Sequence, residues 1–358
     1  MKTSNKQEHL NILFEYKQKL RRSPQLRFLF LELTMRCNEY CRHCGSRCND
    51  LVCDELTADE WCRFLDKIAH DFAPELPMLC ITGGEPLLRK EFSQIMSYAK
   101  SLGFKWGMTS NATLIDEQTV QMLKQTGMNT ISVSLDGTRR THDDFRRTAG
   151  GFDKAVNGIR CLVRGGFDEV QVTTVVTKKS ISELPEVFEI VKQLNVDSWR
   201  VVGIEPIGRA LELEDYMLSI EQQYALLDFI KQKRSEGWNV TYGCSHYLGL
   251  ELEREVRDWY FLCSAGVYVA SITANGDITA CLDIQRRAET IQGNIKKDDF
   301  MPVWKNRFQI FREPLWKKSE KCRNCKSRDY CEGGSFHSWD LDRNEQRICF
   351  IDPLIKIT

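Results

Sequence analysis

RFLFLELTMRCNEYCRHC (residues 27–44) joins an apolar run directly to three closely spaced cysteines. The run at 27–34 has the length and the apolar composition of a buried β-strand. Cys37, Cys41 and Cys44 follow it within eight residues, and no fourth cysteine stands at a matching spacing. This segment therefore predicts a strand that delivers three thiols to one loop.

Strand-like and helix-like segments alternate in six consecutive units from about residue 27 to 237. A capping box predicts the start of one helix, with Thr57 as N-cap and Glu60 three residues later. Such alternation predicts a parallel sheet with right-handed crossovers. Since six units fall short of a closed eight-unit barrel, we predict an α/β fold with a partial, TIM-like (β/α)6 barrel. The predicted divisions are a helical extension at 1–25, the barrel at 26–237 and a cysteine-rich domain at 238–358.

The composition excludes several classes of protein. The 358 residues carry 50 basic and 50 acidic side chains, so charge gives no reason to expect nucleic-acid binding. The N-terminus, MKTSNKQEHL, lacks the apolar run of a signal peptide, and no stretch approaches the roughly 18 apolar residues of a membrane span. We therefore expect a cytoplasmic protein, in which 15 cysteines indicate metal binding rather than disulfides.

The cysteines are grouped along the chain. The early group is Cys37, Cys41, Cys44, Cys48 and Cys53; the middle group is Cys244, Cys263 and Cys281; the late group is Cys322, Cys325, Cys331 and Cys349. Cys62, Cys80 and Cys161 stand alone within apolar patterns and are interpreted as small core residues.

Three thiolates spaced C-x3-C-x2-C can hold three corners of a [4Fe–4S] cluster. The fourth iron would then be open to a small molecule. Zinc is the competing metal, but a structural zinc site needs four closed ligands, of which Cys48 would have to be the fourth. The carboxyl ends of parallel strands meet at one edge of a sheet, so residues 83–86, Asn111 and Asp136 are expected beside the three thiols.

These motifs together resemble the radical S-adenosylmethionine (SAM) superfamily. In that family a GGEP-type turn contacts the SAM amino group, and here it reads Gly83, Gly84, Glu85 and Pro86. The segment around Asn111 resembles a TNG motif with two departures. The segments SLDG (134–137) and HDDFR (142–146) resemble those that bind the ribose and the SAM carboxylate. The residues implied as SAM-binding are therefore Gly83, Gly84, Glu85, Pro86, Asn111, Ser134, Asp136 and Arg146, with Arg147 as the rival arginine and His43 packing near adenine.

The resemblance implies the missing fourth ligand. SAM would chelate the open iron, and one electron from the reduced cluster would cleave it to methionine and a 5′-deoxyadenosyl radical. That radical would abstract a hydrogen atom from the substrate. A reductant such as flavodoxin or ferredoxin is implied as a partner.

The C-terminal cysteines resemble a SPASM domain, which carries auxiliary [4Fe–4S] clusters. Cys263 and Cys281 flank a predicted hairpin with an Asn275-Gly276 turn. The second auxiliary cluster is implied to have a complete ligand set in Cys322, Cys325, Cys331 and Cys349. Ser335 stands where the family has a ligand of the first, so one or two auxiliary clusters are expected. Cys244 is either a further ligand of the first cluster, with Cys263 and Cys281, or an ordinary thiol.

The resemblance implies a peptide-modifying or protein-modifying enzyme. Two alternatives remain: a sulfatase maturase that forms formylglycine, and an enzyme for a small molecule such as a tetrapyrrole. The maturases carry a catalytic aspartate directly after the hairpin's second cysteine. Here Leu282 takes that position and Asp283 follows, so Asp283 is the candidate catalytic residue. A one-residue shift reverses the face of a strand, which counts against a maturase. An Fe–S carrier without enzymatic activity would leave the SAM-binding motifs without purpose.

Overall fold

The computed structural model describes residues 3–50, 53–243 and 246–351. The strands of these ranges are β1 Phe28–Glu32, β2 Met78–Thr82, β3 Trp106–Ser110, β4 Met128–Ser134, β5 Glu169–Val176, β6 Ser198–Gly203, β7 Val240–Tyr242, β8 Val269–Ile272, β9 Asp277–Thr279, β10 Gly293–Asn294, β11 Trp339–Asp340 and β12 Glu345–Gln346. The α-helices are α1 Thr3–Arg22, α2 Ala58–Phe72, α3 Phe92–Ser101, α4 Glu117–Gln125, α5 Arg139–Arg146, α6 Gly151–Gly165, α7 Leu184–Leu194, α8 Ile220–Ser235, α9 Leu250–Val256, α10 Phe300–Asn306, α11 Gln309–Arg312, α12 Glu320–Arg323 and α13 Arg328–Cys331.

Ten strands form one sheet in the order β10-β9-β8-β1-β2-β3-β4-β5-β6-β7. Strands β1 to β7 pair in sequence order and are all parallel. Strand β8 lies parallel to β1 on the other side, and β9 and β10 continue the sheet antiparallel. This mostly parallel sheet confirms the predicted α/β class.

Local sequence explains several of the element boundaries. Thr57 and Glu60 form the predicted capping box at the start of α2, and Ser219 and Gln222 form another at the start of α8. Pro185 lies in the first turn of α7, where its missing N–H costs no helical hydrogen bond. These caps satisfy amide groups that a helix start leaves without intrahelical partners.

The structure extends the predicted architecture beyond residue 237. Strand β7 adds a seventh parallel strand, and the predicted hairpin, β8–β9, joins the edge of β1 instead of forming a separate sheet. One apolar core includes barrel residues such as Leu31 and Ile81 together with Phe308 and Trp339 of the C-terminal region. The predicted division at 237/238 therefore does not coincide with a break in the sheet or in the core.

None of the helices in the described ranges is both long enough and apolar enough to cross a membrane.

Candidate functional site

Loops at the carboxyl ends of β1 to β4 carry most of the predicted cofactor-binding residues. The three-cysteine loop, residues 35–50, follows β1, and the 83–86 turn follows β2. Asn111 comes directly after β3, and its side-chain amide donates to Asn38 Oδ1 in the three-cysteine loop at 2.9 Å. The parallel sheet thus brings these segments together, as the alternating pattern predicts.

The thiols of the three-cysteine loop already accept N–H hydrogen bonds. The amide of Glu39 lies 3.5 Å from Cys37 Sγ, and the amide of Cys48 lies 3.4 Å from Cys44 Sγ. Arg146 Nη1 lies 3.8 Å from Cys41 Sγ. Cluster-bound thiolates are stabilised by such bonds, which also tune reduction potential. The donor set therefore fits an Fe–S cluster held by Cys37, Cys41 and Cys44.

Two buried polar atoms in the same loop lack a hydrogen-bond partner within the described part of the chain. They are Glu39 Oε1 and His43 Nδ1. Buried polar groups are rarely left unpaired, so these two atoms are available for hydrogen bonds with a ligand. Their position beside the three thiols fits SAM, whose amino group and adenine carry hydrogen-bond donors.

His43 is suited to packing against an aromatic ring. Its imidazole stacks on Phe145 with ring centroids 4.2 Å apart, and Phe145 in turn stacks on Tyr216. Burial lowers the pKa of His43 to about 4, so the ring is neutral at pH 7. A neutral, stacked ring supports the predicted contact with adenine.

The 83–86 turn packs tightly on the backbone of the three-cysteine loop. The amides of Gly84 and Glu85 donate to the carbonyls of Thr34 and Arg36 at 2.8 and 2.9 Å. A Cβ atom at Gly84 would lie 2.0 Å from the Arg36 carbonyl oxygen. Glycine is therefore required here for contact with the neighbouring loop, in addition to any approach to a ligand. Pro86 begins a short 3-10 helix that leads away from the turn.

The carboxylate of Glu85 is engaged within the protein. It accepts hydrogen bonds from Ser110 Oγ at 2.9 and 3.0 Å and from the Asn111 amide at 2.9 Å. Burial raises the pKa of Glu85 to about 7, against the lowering effect of these bonds. Glu85 thus joins the turn after β2 to the turn after β3, and its contact with the SAM ammonium stays a prediction.

Arg146 is also engaged with carboxylates of the chain. Its Nη2 lies 2.7 Å from Asp136 Oδ2, and its Nη1 lies 2.8 Å from Glu39 Oε2. Burial by itself would lower the pKa of Arg146, but Asp136 and Glu39 hold it well above its usual value. Ser134 ends β4 close by. The predicted roles of Arg146 with the SAM carboxylate and of Ser134 with the ribose stay predictions.

Sequence reasoning missed the residues that hold the three-cysteine loop against the barrel. The segment IEPIGRA (204–210) follows β6. Its Arg209 donates to the carbonyls of Cys41 and Cys48 at 2.9 and 3.1 Å and pairs with Asp50 at 2.9 Å. A Cβ atom at Gly208 would lie 2.3 Å from the Cys44 carbonyl oxygen. Nothing local in the sequence signals these contacts, because about 160 residues separate the two segments.

The late cysteines also come together. Cys325, Cys331 and Cys349 pack against one apolar cluster that contains Tyr247 and Phe261. Cys322 and Cys349 are near enough to Cys331 for their charges to affect its pKa, which burial raises to about 12. The amide of Ser327 lies 3.4 Å from Cys325 Sγ. Four soft sulfur donors, of which Cys325 accepts an N–H···S bond, fit the predicted second auxiliary cluster.

The residues considered for the first auxiliary cluster come from three segments of the chain. Cys263 packs against the same apolar cluster as the late cysteines, and Cys281 follows β9. Ser335 is buried, and its Oγ lies 2.7 Å from Ser338 Oγ and 3.2 Å from His337 Nε2. Cys244 lies outside the described residues.

Among the residues that the structure describes, no group of three or more His, Cys, Asp or Glu side chains is arranged to hold a single metal ion. Cys48, the fourth ligand in the zinc alternative, is buried against Met35 and Ala274.

A groove runs between the barrel loop 206–220 and the C-terminal region. Its inner part is a cavity of about 250 Å³ that begins at Gly45, next to Cys44, and includes Asp283. Its outer part is a cavity of about 550 Å³ that reaches Cys349. Pro206, Leu211 and Arg347 line both parts, so the two cavities adjoin.

Asp283 faces the three-cysteine loop at the inner end of this groove. Its Oδ1 would lie 3.2 Å from a Cβ atom built on Gly45. The one-residue shift along the chain therefore does not remove this carboxylate from the mouth of the barrel.

Comparisons with known proteins identify two conserved domains in the chain. The model of the radical SAM superfamily matches residues 31–191, and the model of the SPASM iron-sulfur cluster-binding domain matches residues 263–326. Both domains are those that the sequence motifs predict.

Two curated relatives and one solved structure are similar over most of their lengths. An AdoMet-dependent heme synthase of Methanosarcina barkeri is 28% identical over 325 residues, which are 86% of this chain and 90% of that protein. The mycofactocin maturase MftC of Mycobacterium tuberculosis is 28% identical over 308 residues, 85% of this chain and 76% of that protein. The crystal structure of Streptococcus suis SuiB bound to S-adenosylmethionine has a TM-score of 0.70 at 19% identity, covering 92% of this chain and 79% of that one. The last similarity shows a shared fold.

Proposed function

Because this chain belongs to the radical SAM superfamily and carries a SPASM domain, we propose that it modifies a peptide or protein substrate after hydrogen-atom abstraction. Radical SAM enzymes use a [4Fe–4S] cluster and SAM, and SPASM domains carry auxiliary [4Fe–4S] clusters. The proposal concerns which residues hold these groups, what the substrate is, and that the enzyme acts in the reducing cytoplasm.

We assign the SAM-binding cluster to Cys37, Cys41 and Cys44. When bound, the cluster and SAM supply the one-electron chemistry that generates a 5′-deoxyadenosyl radical. The protein's own part is to orient and to shield. Arg146 holds the carboxylates of Asp136 and Glu39 near Cys41. The imidazole of His43, stacked on Phe145, offers a flat, water-poor surface for adenine.

The observation that carries the peptide proposal is the length of the groove. It consists of two adjoining cavities of about 250 and 550 Å³, the first lined by Gly45 and the second by Cys349. An extended peptide segment fits an elongated groove, with one side chain at the inner end. The similarity to the MftC maturase supports the same class of substrate.

Asp283 is the proposed proton acceptor at the inner end. A substrate side chain in the inner cavity would lie against this carboxylate, which itself borders the backbone that follows Cys44. Loss of a hydrogen atom and an electron from a substrate carbon leaves a proton to be removed, and an ionised carboxylate can accept it. The second auxiliary cluster site, whose proposed ligand Cys349 lines the outer part of the groove, is suited to take the electron.

A second candidate substrate is a carboxylate-bearing tetrapyrrole. The similarity to heme synthase covers 90% of that relative. Three arginines, Arg47, Arg286 and Arg347, line the inner cavity together with the aromatic rings of Phe336 and Trp339. Guanidinium groups pair with carboxylates and aromatic rings stack on macrocycles, so this candidate also has a physical basis.

The cluster assignment is tested by substitution of the three cysteines. Anaerobic reconstitution with iron and sulfide, followed by dithionite and SAM, should yield 5′-deoxyadenosine from the wild-type chain and none from the Cys37/Cys41/Cys44→Ala variant. The matched control replaces Cys62, Cys80 and Cys161, which lie outside all three cysteine groups, and should retain the activity. Undiminished 5′-deoxyadenosine from the first variant would contradict the assignment.

The substrate is tested on the same reconstituted enzyme. Peptides encoded beside the gene and iron coproporphyrin are each added, and the mass of each is followed together with 5′-deoxyadenosine. A mass change in a peptide that requires SAM supports the first candidate. A change in the porphyrin, with a shift of its Soret band on binding, would replace it with the second.

A further inference from the structure

The N-terminal helix α1 brings two cations to the loop that carries Cys331. The sequence suggests a solvated helix over the end of the barrel. The structure instead buries Lys17 of this helix, with 1% of its surface exposed, beside α13 and the residues that follow it. Lysine is rarely buried so completely, so its surroundings call for a specific explanation.

Lys17 and Arg21 contact both neighbours of Cys331. Lys17 Nζ donates to the carbonyl oxygen of Tyr330 at 2.5 Å and lies 3.9 Å from Glu332 Oε2. Arg21 binds Glu332 through two parallel hydrogen bonds of 2.7 and 2.8 Å. Helix α1 therefore holds the backbone on the N-terminal side of Cys331 and the side chain on its C-terminal side.

Lys17 is the cation that acts on the Cys331 thiol. The carboxylates of Glu332 and Glu253 both act on Lys17, so its positive charge is held between two acidic groups beside this thiol. Burial lowers the pKa of Lys17, and Glu332 acts against that effect. Desolvation of a lysine is unfavourable, and apolar side chains commonly stabilise a fold at least as well as a buried ion pair does. Stability alone therefore does not explain a lysine at this position.

We propose that Lys17 and Arg21 are positioning residues of the second auxiliary cluster, whose proposed ligands are Cys322, Cys325, Cys331 and Cys349. They fix the Cys331 loop and place positive charge beside a centre that becomes more negative when it is reduced. Positive charge stabilises the reduced form and so raises the reduction potential. The inference rests on the proposed cluster site in the SPASM domain, and it does not depend on the identity of the substrate.

The matched variants are Lys17→Met, which removes the charge and keeps most of the stem, Lys17→Arg, which keeps the charge, and Lys19→Met, which removes an exposed cation from the same helix. Glu332→Gln changes the charge in the opposite sense. Each full-length chain is reconstituted anaerobically. The EPR signal of the second auxiliary cluster is identified by its loss in a Cys322→Ala chain and is followed in a redox titration.

The midpoint potential of that signal should fall in Lys17→Met, rise in Glu332→Gln, and stay at the wild-type value in Lys17→Arg and Lys19→Met. If Lys17→Met instead loses about four irons per chain, one cluster's complement, with an unchanged circular dichroism spectrum, the positioning role is supported. An unchanged potential with full iron content in Lys17→Met would overturn the proposal, and so would equal shifts in Lys17→Met and Lys19→Met. If Lys17→Met fails to fold, the test is the midpoint potential of Glu332→Gln. A rise supports the proposal, and the absence of a rise overturns it. Uncoupled 5′-deoxyadenosine formation by the wild type is measured in parallel, because its absence would instead refute the proposed function.

Discussion

Charge at the three-cysteine loop is organised by one buried guanidinium. Arg146 binds Asp136 and Glu39 and reaches Cys41, so two buried carboxylates share one cation. Glu39 keeps one oxygen without a partner among the described residues. A ligand with an ammonium group would complete that bonding. A SAM carboxylate, in contrast, would have to share Arg146 with Asp136 and Glu39.

At the same scale, Glu85 should make stability depend on pH. Its pKa is about 7 in the folded protein and 4.5 in its ordinary state, since burial disfavours the charged form. A raised folded-state pKa means that the folded chain binds the proton more tightly than the unfolded chain. The stabilising effect of Glu85 is therefore complete below pH 4.5 and is lost as pH rises through about 7.

Urea unfolding of the wild type and of Glu85→Gln, without cofactors and with thiols kept reduced, measures this effect. The wild-type minus Glu85→Gln difference in the free energy of unfolding should be largest below about pH 4.5, decrease up to about pH 7, and then become constant. A difference that is independent of pH would show that Glu85 does not titrate in this range.

At the scale of elements, the loop after β6 clamps the loop after β1. Residues 204–210 hold the three-cysteine loop through Arg209 and through the backbone contact of Gly208 with Cys44. The segment after β6 thereby orders the loop that follows β1. Clusters need ligands held in position before iron binds, so this clamp should affect iron retention.

Gly208→Ala should therefore impair the first cluster. Gly208 has φ +57° and an added Cβ would lie 2.3 Å from the Cys44 carbonyl oxygen. Gly237→Ala is the matched control, since Gly237 also has a positive φ, +89°, but no atom lies within 4 Å of its added Cβ. Backbone strain alone costs either alanine about 1–2 kcal/mol.

The measurements are thermal unfolding and the iron content after anaerobic reconstitution. Gly208→Ala should lose more stability than Gly237→Ala and should retain less iron together with less 5′-deoxyadenosine formation. Equal behaviour of the two variants would show that the loop accommodates the added methyl group by moving.

At the scale of the whole molecule, the sheet joins the barrel to the C-terminal region. Strand β8 covers the edge of β1, Leu56 donates its amide to Ala274, and Arg286 pairs with the buried Glu32 at 2.5 Å. Helix α1 adds the contacts of Lys17 and Arg21 with Glu332 of the C-terminal region. The SPASM region is therefore structurally part of the barrel's edge.

A fragment of residues 1–256 should consequently not fold stably on its own. It would leave the β1 edge unpaired and its apolar faces exposed, which favours aggregation. Coexpression with residues 257–358 should restore a soluble complex, as measured by size-exclusion chromatography. A monomeric 1–256 fragment with cooperative thermal unfolding would instead support an independent barrel with a boundary near the predicted position.

The sequence alone determined those features that depend on local order. The 3.6-residue and two-residue apolar periods, the capping box at Thr57 and the Asn275-Gly276 turn identified the helices, the parallel strands and the hairpin, because each depends on neighbours within a few residues. Cysteine spacing with the GGEP and SLDG segments identified both domains and their cofactors for a similar reason, since each motif is short. The assignment of particular residues to SAM and to the auxiliary clusters stays a prediction.

Only the tertiary structure decided how distant segments meet. That β8 pairs with β1, that Arg209 holds the carbonyls of Cys41 and Cys48, and that Lys17 lies against the Cys331 loop all depend on contacts across more than 150 residues. Such contacts follow from how sheet edges and loop ends pack in three dimensions, and no local pattern encodes them. The same holds for Glu85 and Arg146, which the sequence motifs predict as ligand contacts. In the folded chain Glu85 accepts a hydrogen bond from Ser110, and Arg146 pairs with Asp136 and Glu39.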